Sequence, residues 1–231
     1  MLRLDGLEIR QGEFSLSADW ALEDGAVCAV MGPSGGGKST LLATIAGFLA
    51  PSAGRVVWDG RDLTPIAPAG RPISILFQDN NLFPHLTVER NLALGLGPRG
   101  RLDAARRHAI GAVLERVGLT GMAARKPAAL SGGQQSRAAL ARVLLMDRAL
   151  VLLDEPFAAL GPGLRAEMLD LAREVLAGEG RTVLMVSHAP EDATRIASHI
   201  VLVDAGRAAP PQAAGPLLAD PPPALRAYLG R

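Results

Sequence analysis

Cysteine, excess charge and long apolar runs are all scarce in this 231-residue chain. The one cysteine, Cys28, lies in an apolar stretch, so the sequence offers neither a disulfide framework nor a thiolate cluster for a metal. The net charge of +1 predicts no strong attraction to a nucleic-acid backbone. No apolar run reaches the roughly 18–20 residues that span a bilayer, and the N-terminus carries no charged-then-apolar signal segment. We therefore expect a protein without a membrane anchor or a nucleic-acid partner.

Alternation of strand and helix patterns indicates an α/β fold. Residues 1–25 alternate apolar and polar positions, which predicts two or three antiparallel strands. Continuous apolar runs predict buried parallel strands at 26–31, 73–78, 150–153, 182–187 and 199–204. Helical patterns between these strands are typical of a parallel-sheet core, and the chain length fits one large α/β domain or one domain with a subdomain.

Other segments are assigned by composition. A block rich in Ala, Leu and Arg at about 87–147, broken at 95–101, predicts an inserted helical subdomain. Residues 61–72, rich in Arg and Pro, predict a loop. The proline-rich tail from about 206 to 231 predicts an irregular cap with one short helix.

The string GPSGGGKST at 32–40 has the spacing of a phosphate-binding loop, G-x-x-x-x-G-K-[ST]. It stands between a predicted strand and a predicted helix that ends near Gly47, which is the context that the motif requires. Glycines let backbone N–H groups curl around phosphate oxygens, and the following helix points its positive end at the same anion. Lys38, one of only two lysines, would neutralise the β- and γ-phosphates, and the Ser39 hydroxyl would bind Mg²⁺. The predicted ATP-binding residues are Gly32, Pro33, Ser34, Gly35, Gly36, Gly37, Lys38, Ser39 and Thr40.

An acidic pair follows the predicted strand at 150–153. Asp154 and Glu155 stand at its carboxyl end, where open α/β sheets bind their ligands. Asp154 suits coordination of Mg²⁺ together with Ser39, and Glu155 suits polarisation of the water that attacks the γ-phosphate. A solvated turn is the alternative interpretation of such a pair when it stands alone; the upstream phosphate loop favours the catalytic one.

The string LSGGQ at 130–134 narrows the class of protein. A phosphate loop alone is shared by kinases, GTPases and motors, and Ser-Gly-Gly alone is a flexible turn or a helix N-cap. LSGGQ between a phosphate loop and an Asp-Glu strand resembles the signature of ATP-binding cassette (ABC) ATPases. The resemblance implies a head-to-tail homodimer in which the signature contacts ATP bound to the other chain, through Ser131, Gly132, Gly133 and Gln134.

The resemblance to ABC ATPases covers about residues 1–205 and adds two site residues. Gln78 matches the Q-loop glutamine, which senses Mg²⁺ and links to the transport partner, and His188 matches the switch histidine at the γ-phosphate. The implied fold is a P-loop NTPase (RecA-like) core with an antiparallel β subdomain and a helical subdomain. Residues 206–231 leave no room for a C-terminal regulatory domain, so we expect a single ABC ATPase domain.

Segments 70–96 and 184–197 resemble those of the ATPase subunits of thiamine importers. The resemblance implies a permease partner, an indirect periplasmic solute-binding protein, and a peripheral place on the cytoplasmic face of the inner membrane. Ferric iron, polyamine and sulfate importers are the alternatives for the solute. A non-transport ABC protein and a small-metabolite kinase are the alternatives of other classes. A non-transport ABC protein would carry long coiled coils or a fused second cassette, and this sequence has neither. A small-metabolite kinase would have no reason to carry LSGGQ.

Three positions depart from the family pattern. Gly161 replaces the aspartate that normally crosses the dimer seam, which questions the coupling between the two sites. Gln135-Ser136-Arg137 replaces the usual R-Q-R. Gln11 stands where the family has a tyrosine that stacks on adenine, and Phe14 is the nearest ring. We expect weaker base selectivity, since aromatic stacking contributes about 1 kcal/mol.

Overall fold

The computed structural model describes residues 1–97 and 102–229. One continuous sheet runs through it and has an antiparallel part and a parallel part. The first part of the sheet is antiparallel and contains β1 (Leu2–Gln11), β2 (Phe14–Leu22), β4 (Ala53–Trp58) and β5 (Arg61–Asp62). Alternate side chains of β2 are buried, as the apolar–polar alternation of the sequence predicts.

The second part of the sheet is parallel, and it carries the site. Its strands are β3 (Val27–Met31), β6 (Ile73–Leu76), β7 (Leu150–Asp154), β8 (Thr182–Val186) and β9 (His199–Asp204). Every residue of β3 and β8 is buried, because helices cover both faces of a parallel sheet. β3, β8 and β7 are neighbours, so the residues that follow their carboxyl ends meet at one edge of the sheet.

Two short strands follow β9. β10 (Arg207–Ala208) pairs parallel with β2 and antiparallel with β9, which joins the two parts of the sheet. β11 (Gln212–Ala213) pairs antiparallel with β9. The order of the strands across the sheet is β5-β4-β1-β2-β10-β9-β3-β8-β7-β6, with β11 paired to β9 off this path.

Eight α-helices surround the sheet: α1 (Lys38–Ala46), α2 (Val88–Ala93), α3 (Ala104–Arg116), α4 (Gly132–Leu145), α5 (Pro162–Leu176), α6 (Pro190–Ile196), α7 (Ala214–Ala219) and α8 (Pro223–Leu229), counted over the described residues. α2, α3 and α4 fall in the predicted helical block, and their buried Leu92, Leu114 and Leu140 share one core cluster. Part of the predicted break at 95–101, residues 98–101, lies outside the described residues. None of the described helices is long and apolar enough to cross a bilayer.

The expectation of a single short helix in the tail is wrong. Residues 206–229 form two strands and two helices, with residues 230–231 outside the described part of the chain. Leu217 and Leu225 are buried in one apolar cluster with Ala29 and Met31 of β3. Packing against residues much earlier in the chain therefore holds this segment in place. Pro223 opens α8 at the first helical position, where a missing N–H leaves no hydrogen bond unmade.

Arg71 shows that residues 61–72 are more than a surface loop. They include β5 and a 3₁₀ turn at Pro68–Gly70, and the Arg71 side chain is buried. Its guanidinium donates to the carbonyls of Thr44 (3.0 Å) and Ile45 (2.7 Å) in the last turn of α1. A cation at the carboxyl end of a helix satisfies carbonyls that lack a partner and complements the helix dipole. α1 ends at Ala46, and its C-cap Gly47 has φ 88°, which agrees with the helix end near Gly47 that the sequence predicts.

Candidate nucleotide-binding and hydrolysis site

The loop between β3 and α1 has a conformation that only glycine tolerates at two positions. Gly32 has φ 146°, and a Cβ there would lie 2.0 Å from the carbonyl oxygen of Val203. Gly37, the N-cap of α1, has φ 97°, and a Cβ there would lie 2.5 Å from Cζ of Phe14. The backbone can therefore fold closely around an anion at the N-terminus of α1.

Lys38 holds the inside of this loop. Its Nζ donates hydrogen bonds to the carbonyls of Gly32 (2.8 Å) and Pro33 (2.9 Å), and the residue is 5% exposed. Burial lowers the pKa of the Lys38 ammonium, and the charges of Glu155 and Asp154 oppose that shift. The ammonium is thus fixed at the loop and faces the two carboxylates, as a phosphate-binding lysine requires.

Ser39 and Asp154 are 115 residues apart in the sequence, and the fold brings their side chains together. The Ser39 hydroxyl donates to Oδ1 of Asp154 at 2.9 Å. Burial raises the pKa of Asp154, while the hydrogen bond from Ser39 acts in the opposite direction. Within residues 1–97 and 102–229, no group of three or more His, Cys, Asp or Glu side chains is arranged to hold a metal ion. The pair fits Mg²⁺, which takes one or two protein oxygens and completes its shell with phosphates and water.

Glu155 and His188 form the second pair of the site. Nε2 of His188 lies 2.6 Å from Oε1 of Glu155, and the side chains are 41% and 19% exposed respectively. Glu155 has φ 49°, an uncommon value for a residue with a side chain, and its N–H donates to the carbonyl of Val186 at 3.1 Å. The turn directs the Glu155 carboxylate toward the imidazole instead of continuing β7.

A cleft of about 260 Å³ unites these groups. It is lined by Gln11, Phe14, Ser34, Gly35, Gly37, Lys38, Ser39, Thr40, Glu155 and His188. The structure therefore brings the phosphate loop, Glu155 and His188 to one surface, and Asp154 reaches it through Ser39. Gln11 and Phe14 also line the cleft, and the resemblance to ABC ATPases predicts that the base of the nucleotide binds near them.

Gln78 does not line this cleft. It is exposed two residues beyond the end of β6, in a loop where Asn80 and Asn81 have positive φ. Arg142 of α4 donates to the carbonyls of Asn80 (3.1 Å) and Asn81 (2.7 Å). Sequence reasoning missed Arg142. The Asn-Asn pair was the available signal for the turn whose carbonyls Arg142 binds, since asparagine tolerates the left-handed region.

The signature residues lie away from the cleft, at the start of α4. Ser131 is the N-cap: its hydroxyl accepts from the N–H of Gln134 (3.3 Å), and the Gln134 side chain accepts from the N–H of Ser131 (3.0 Å). Ser131 and Gly132 are exposed. Gly133 is buried, and a Cβ there would lie 2.6 Å from Cδ2 of Leu164 in α5. In a single chain the signature and the phosphate loop thus belong to different surfaces.

A polar network beside His188 was also missed by sequence reasoning. The Ser187 hydroxyl donates to Oδ2 of Asp192 at 2.5 Å, and it accepts from the N–H of Ala189 at 3.1 Å. Nε of Arg165, in the first turns of α5, donates to the same Asp192 oxygen at 3.1 Å. Asp192 stands four residues after His188 in the sequence, but nothing local indicates that Arg165 would reach it.

Comparison with known proteins supplies the family. The family model described as ABC transporter matches residues 17–158. "Thiamine import ATP-binding protein ThiQ" of Cereibacter sphaeroides is 62% identical over 230 residues, and the protein of that name from Ruegeria sp. is 56% identical over 230; both alignments cover 100% of each chain.

Solved structures agree. The ADP conformation of the ATP-binding cassette MJ1267 matches with a TM-score of 0.88 at 26% identity, covering 100% of this chain and 99% of that one. A dimeric post-hydrolysis state of the cassette MJ0796, bound to ADP and Pi, matches with a TM-score of 0.79 at 29% identity, over 93% and 99% of the two chains. The family and the fold predicted from the motifs are confirmed: the chain belongs to the ATP-binding proteins of the ABC transporter family.

Proposed function

We propose that this chain is the ATP-hydrolysing, energy-coupling subunit of an importer for thiamine or its phosphates. The relatives named for thiamine import support the solute, since they match the chain along its whole length. The observation that carries the ATPase activity is one cleft that holds Lys38, Ser39, Glu155 and His188.

The loop and the acidic pair fit ATP and Mg²⁺. The loop geometry at Gly32 and Gly37 suits a bound phosphate, and residues Gly32 to Thr40 would hold the phosphate chain around the fixed Lys38 ammonium. Ser39 and Asp154 offer neighbouring oxygens to Mg²⁺, and Gln78 is proposed to join them when the nucleotide is bound. When bound there, Mg²⁺ neutralises charge that develops on the phosphate oxygens.

Glu155 is proposed to polarise the attacking water. Its carboxylate lies at the carboxyl end of β7 and accepts a hydrogen bond from His188 when Nε2 carries the proton. That contact fixes the direction of the carboxylate beside Lys38. The lysine stabilises the charge of the leaving phosphates, so the reaction relies on positioning and charge neutralisation.

A complete site is proposed to need two chains. Ser131, Gly132, Gly133 and Gln134 are separated from the cleft of their own chain, and the exposed N-terminus of α4 suits the γ-phosphate bound to a partner copy. The dimeric MJ0796 cassette supports this arrangement. We further propose that the chain is a single ABC ATPase domain with a helical subdomain at about 87–147 and a short C-terminal cap at 206–231.

The surface around Gln78 is proposed to face the permease. Phe48 and Phe83 are large exposed apolar side chains, and the Phe48 ring lies 5.9 Å from the ring of Phe77, next to Gln78. Arg142 ties the same loop to the helix that begins with the signature, so movement of the permease would reach both motifs. We propose that the chain is peripheral at the cytoplasmic face of the inner membrane, held there by the permease, and that it responds to a periplasmic solute-binding protein indirectly.

Reconstitution with the permease in liposomes tests the proposal. ATP hydrolysis should rise when a thiamine-loaded binding protein is added, and binding proteins loaded with ferric iron, polyamine or sulfate should leave it unchanged. If the thiamine-loaded binding protein does not stimulate ATP hydrolysis, thiamine is not the solute. Glu155→Gln should abolish turnover while it retains ATP binding, whereas Glu174→Gln, an exposed carboxylate on α5, should leave turnover intact. Full activity in Glu155→Gln would refute the role of the base.

A further inference from the structure

His188 lies outside the regular structure that positions the rest of the site. β8 ends at Val186 and α6 begins at Pro190, so neither the sheet ladder nor a helix holds the peptide of His188. The imidazole nevertheless lies 2.6 Å from the Glu155 carboxylate. Other contacts must therefore fix this part of the backbone.

One such contact comes from the C-terminal helix. Tyr228, the only tyrosine of the chain, lies in α8. Its hydroxyl donates a hydrogen bond to the carbonyl oxygen of His188 at 2.7 Å. Burial raises the pKa of Tyr228, and the nearby carboxylates of Glu155, Asp192 and Glu191 raise it further. The hydroxyl consequently stays protonated and remains a donor at neutral pH.

α8 is itself fixed to the strand that bears the phosphate loop. Leu225 is fully buried in a cluster with Ala29 and Met31 of β3, and Tyr228 packs against the same cluster. Met31 directly precedes Gly32. The hydroxyl of Tyr228 therefore ties the His188 peptide to the frame that carries the phosphate-binding residues.

The polar network beside His188 acts on its neighbours. Asp192 accepts from Ser187, and Ser187 accepts from the N–H of Ala189, so these contacts fix the residues on either side. The carbonyl of His188 is held by Tyr228. Together these contacts hold the backbone at His188 and on both sides of it.

We propose that Tyr228 is a positioning residue for ATP hydrolysis, which holds the His188 peptide so that the imidazole stays on the Glu155 carboxylate. This rests on the proposed function, since it assumes that Glu155 and His188 serve hydrolysis. The C-terminal helix is then a working part of the site, although it is remote in sequence.

The kinetic test is Tyr228→Phe in the full chain, which removes the hydroxyl and keeps the ring. The kcat for ATP should fall about three- to tenfold, the factor expected for loss of one hydrogen bond. The KM for ATP should stay within about twofold because the phosphate loop is not touched. Thr194→Val is the matched control: its hydroxyl bonds the Pro190 carbonyl on the neighbouring α6 at 3.1 Å. An unchanged kcat in Tyr228→Phe, or an equal fall in Thr194→Val, overturns the proposal.

A spectroscopic measurement separates positioning from a general structural role. The chain has four histidines, so their ring signals can be followed by NMR and that of His188 assigned from its loss in His188→Gln. Tyr228→Phe should shift or broaden the His188 signals and leave the other three in place. An unchanged His188 signal, or equal changes in all four, contradicts the proposal. This measurement needs no turnover, so a wild-type chain without ATPase activity would refute the proposed function while the contact is still tested.

Discussion

An aspartate in place of Gly161 should stabilise the protein. Gly161 is the N-cap of α5, with φ −62° and ψ 157°, which are the extended values that N-cap residues adopt. It is exposed, a Cβ there would meet no atom within 4 Å, and the first turn of α5 holds no acidic residue. An aspartate therefore fits without strain and can accept a hydrogen bond from a free N–H of that turn.

The size of the effect follows from two contributions. At an N-cap, aspartate is more stabilising than glycine by a few tenths of a kcal/mol. A negative charge at a helix N-terminus adds about 0.3–1 kcal/mol at low ionic strength. Since 1 kcal/mol corresponds to about 2–4 °C in a chain of this size, Gly161→Asp should raise the Tm by about 1–5 °C.

Thermal unfolding by calorimetry at low salt measures this, with Gly161→Asn and Gly161→Ala as matched controls. Asparagine supplies the acceptor without the charge, and alanine supplies neither, so the expected order of Tm is Asp, Asn, Gly, Ala. The difference between Asp and Asn should shrink at high salt because the charge is screened. If Gly161→Ala proves as stable as Gly161→Asp, residue 161 does not cap α5 and the reasoning is refuted.

Three further predictions rest on polar groups that are wholly or partly buried. Asp154→Asn should raise the Tm at pH 7 and abolish ATP turnover. Burial raises the pKa of Asp154, so the folded state loses stability as the pH rises through that pKa, and the amide removes this loss. A lower Tm of the variant at pH 7 would contradict the stability argument. Cys28 is fully buried with its pKa raised to about 12, so alkylating reagents at pH 8 should modify it only after unfolding, as mass spectrometry of native and denatured samples can check. Arg142→Met should keep basal ATPase activity but reduce its stimulation by the permease, because the Asn80 and Asn81 carbonyls lose their donor; an unchanged stimulation ratio would refute that link.

The phosphate loop and the strand ends were predictable from sequence because their requirements are local. Gly32 is required by a backbone conformation with φ 146°, which the motif itself indicates, whereas its close approach to Val203 is visible only in the structure. Likewise, an apolar run followed by Asp154 and Glu155 indicates a buried strand with its acidic end at the ligand edge of the sheet. A single sequence is enough to predict a site when the types of residue and their spacing together define its chemistry.

Contacts between distant residues left no such pattern. Arg71 lies in a Pro-rich stretch, and its burial depends on carbonyls of α1 that precede it by 26 and 27 residues. Tyr228 follows His188 by 40 residues, and its role depends on the packing of Leu225 beneath it. Neither periodicity nor composition records which carbonyl a side chain will find, so both residues were missed.

The two-residue strand β10 determines how the cleft can deform. Arg207 and Ala208 pair with β2 on one side and β9 on the other, so this short ladder is the mechanical junction between the antiparallel and parallel parts of the sheet. Phe14, which lines the cleft, belongs to the antiparallel side, whereas Ser39 and Glu155 follow strands of the parallel side. A small tilt across this junction would widen or narrow the cleft beside Phe14 while the Ser39–Asp154 and Glu155–His188 pairs stay together. Amide hydrogen exchange at Ala208 would report that motion directly.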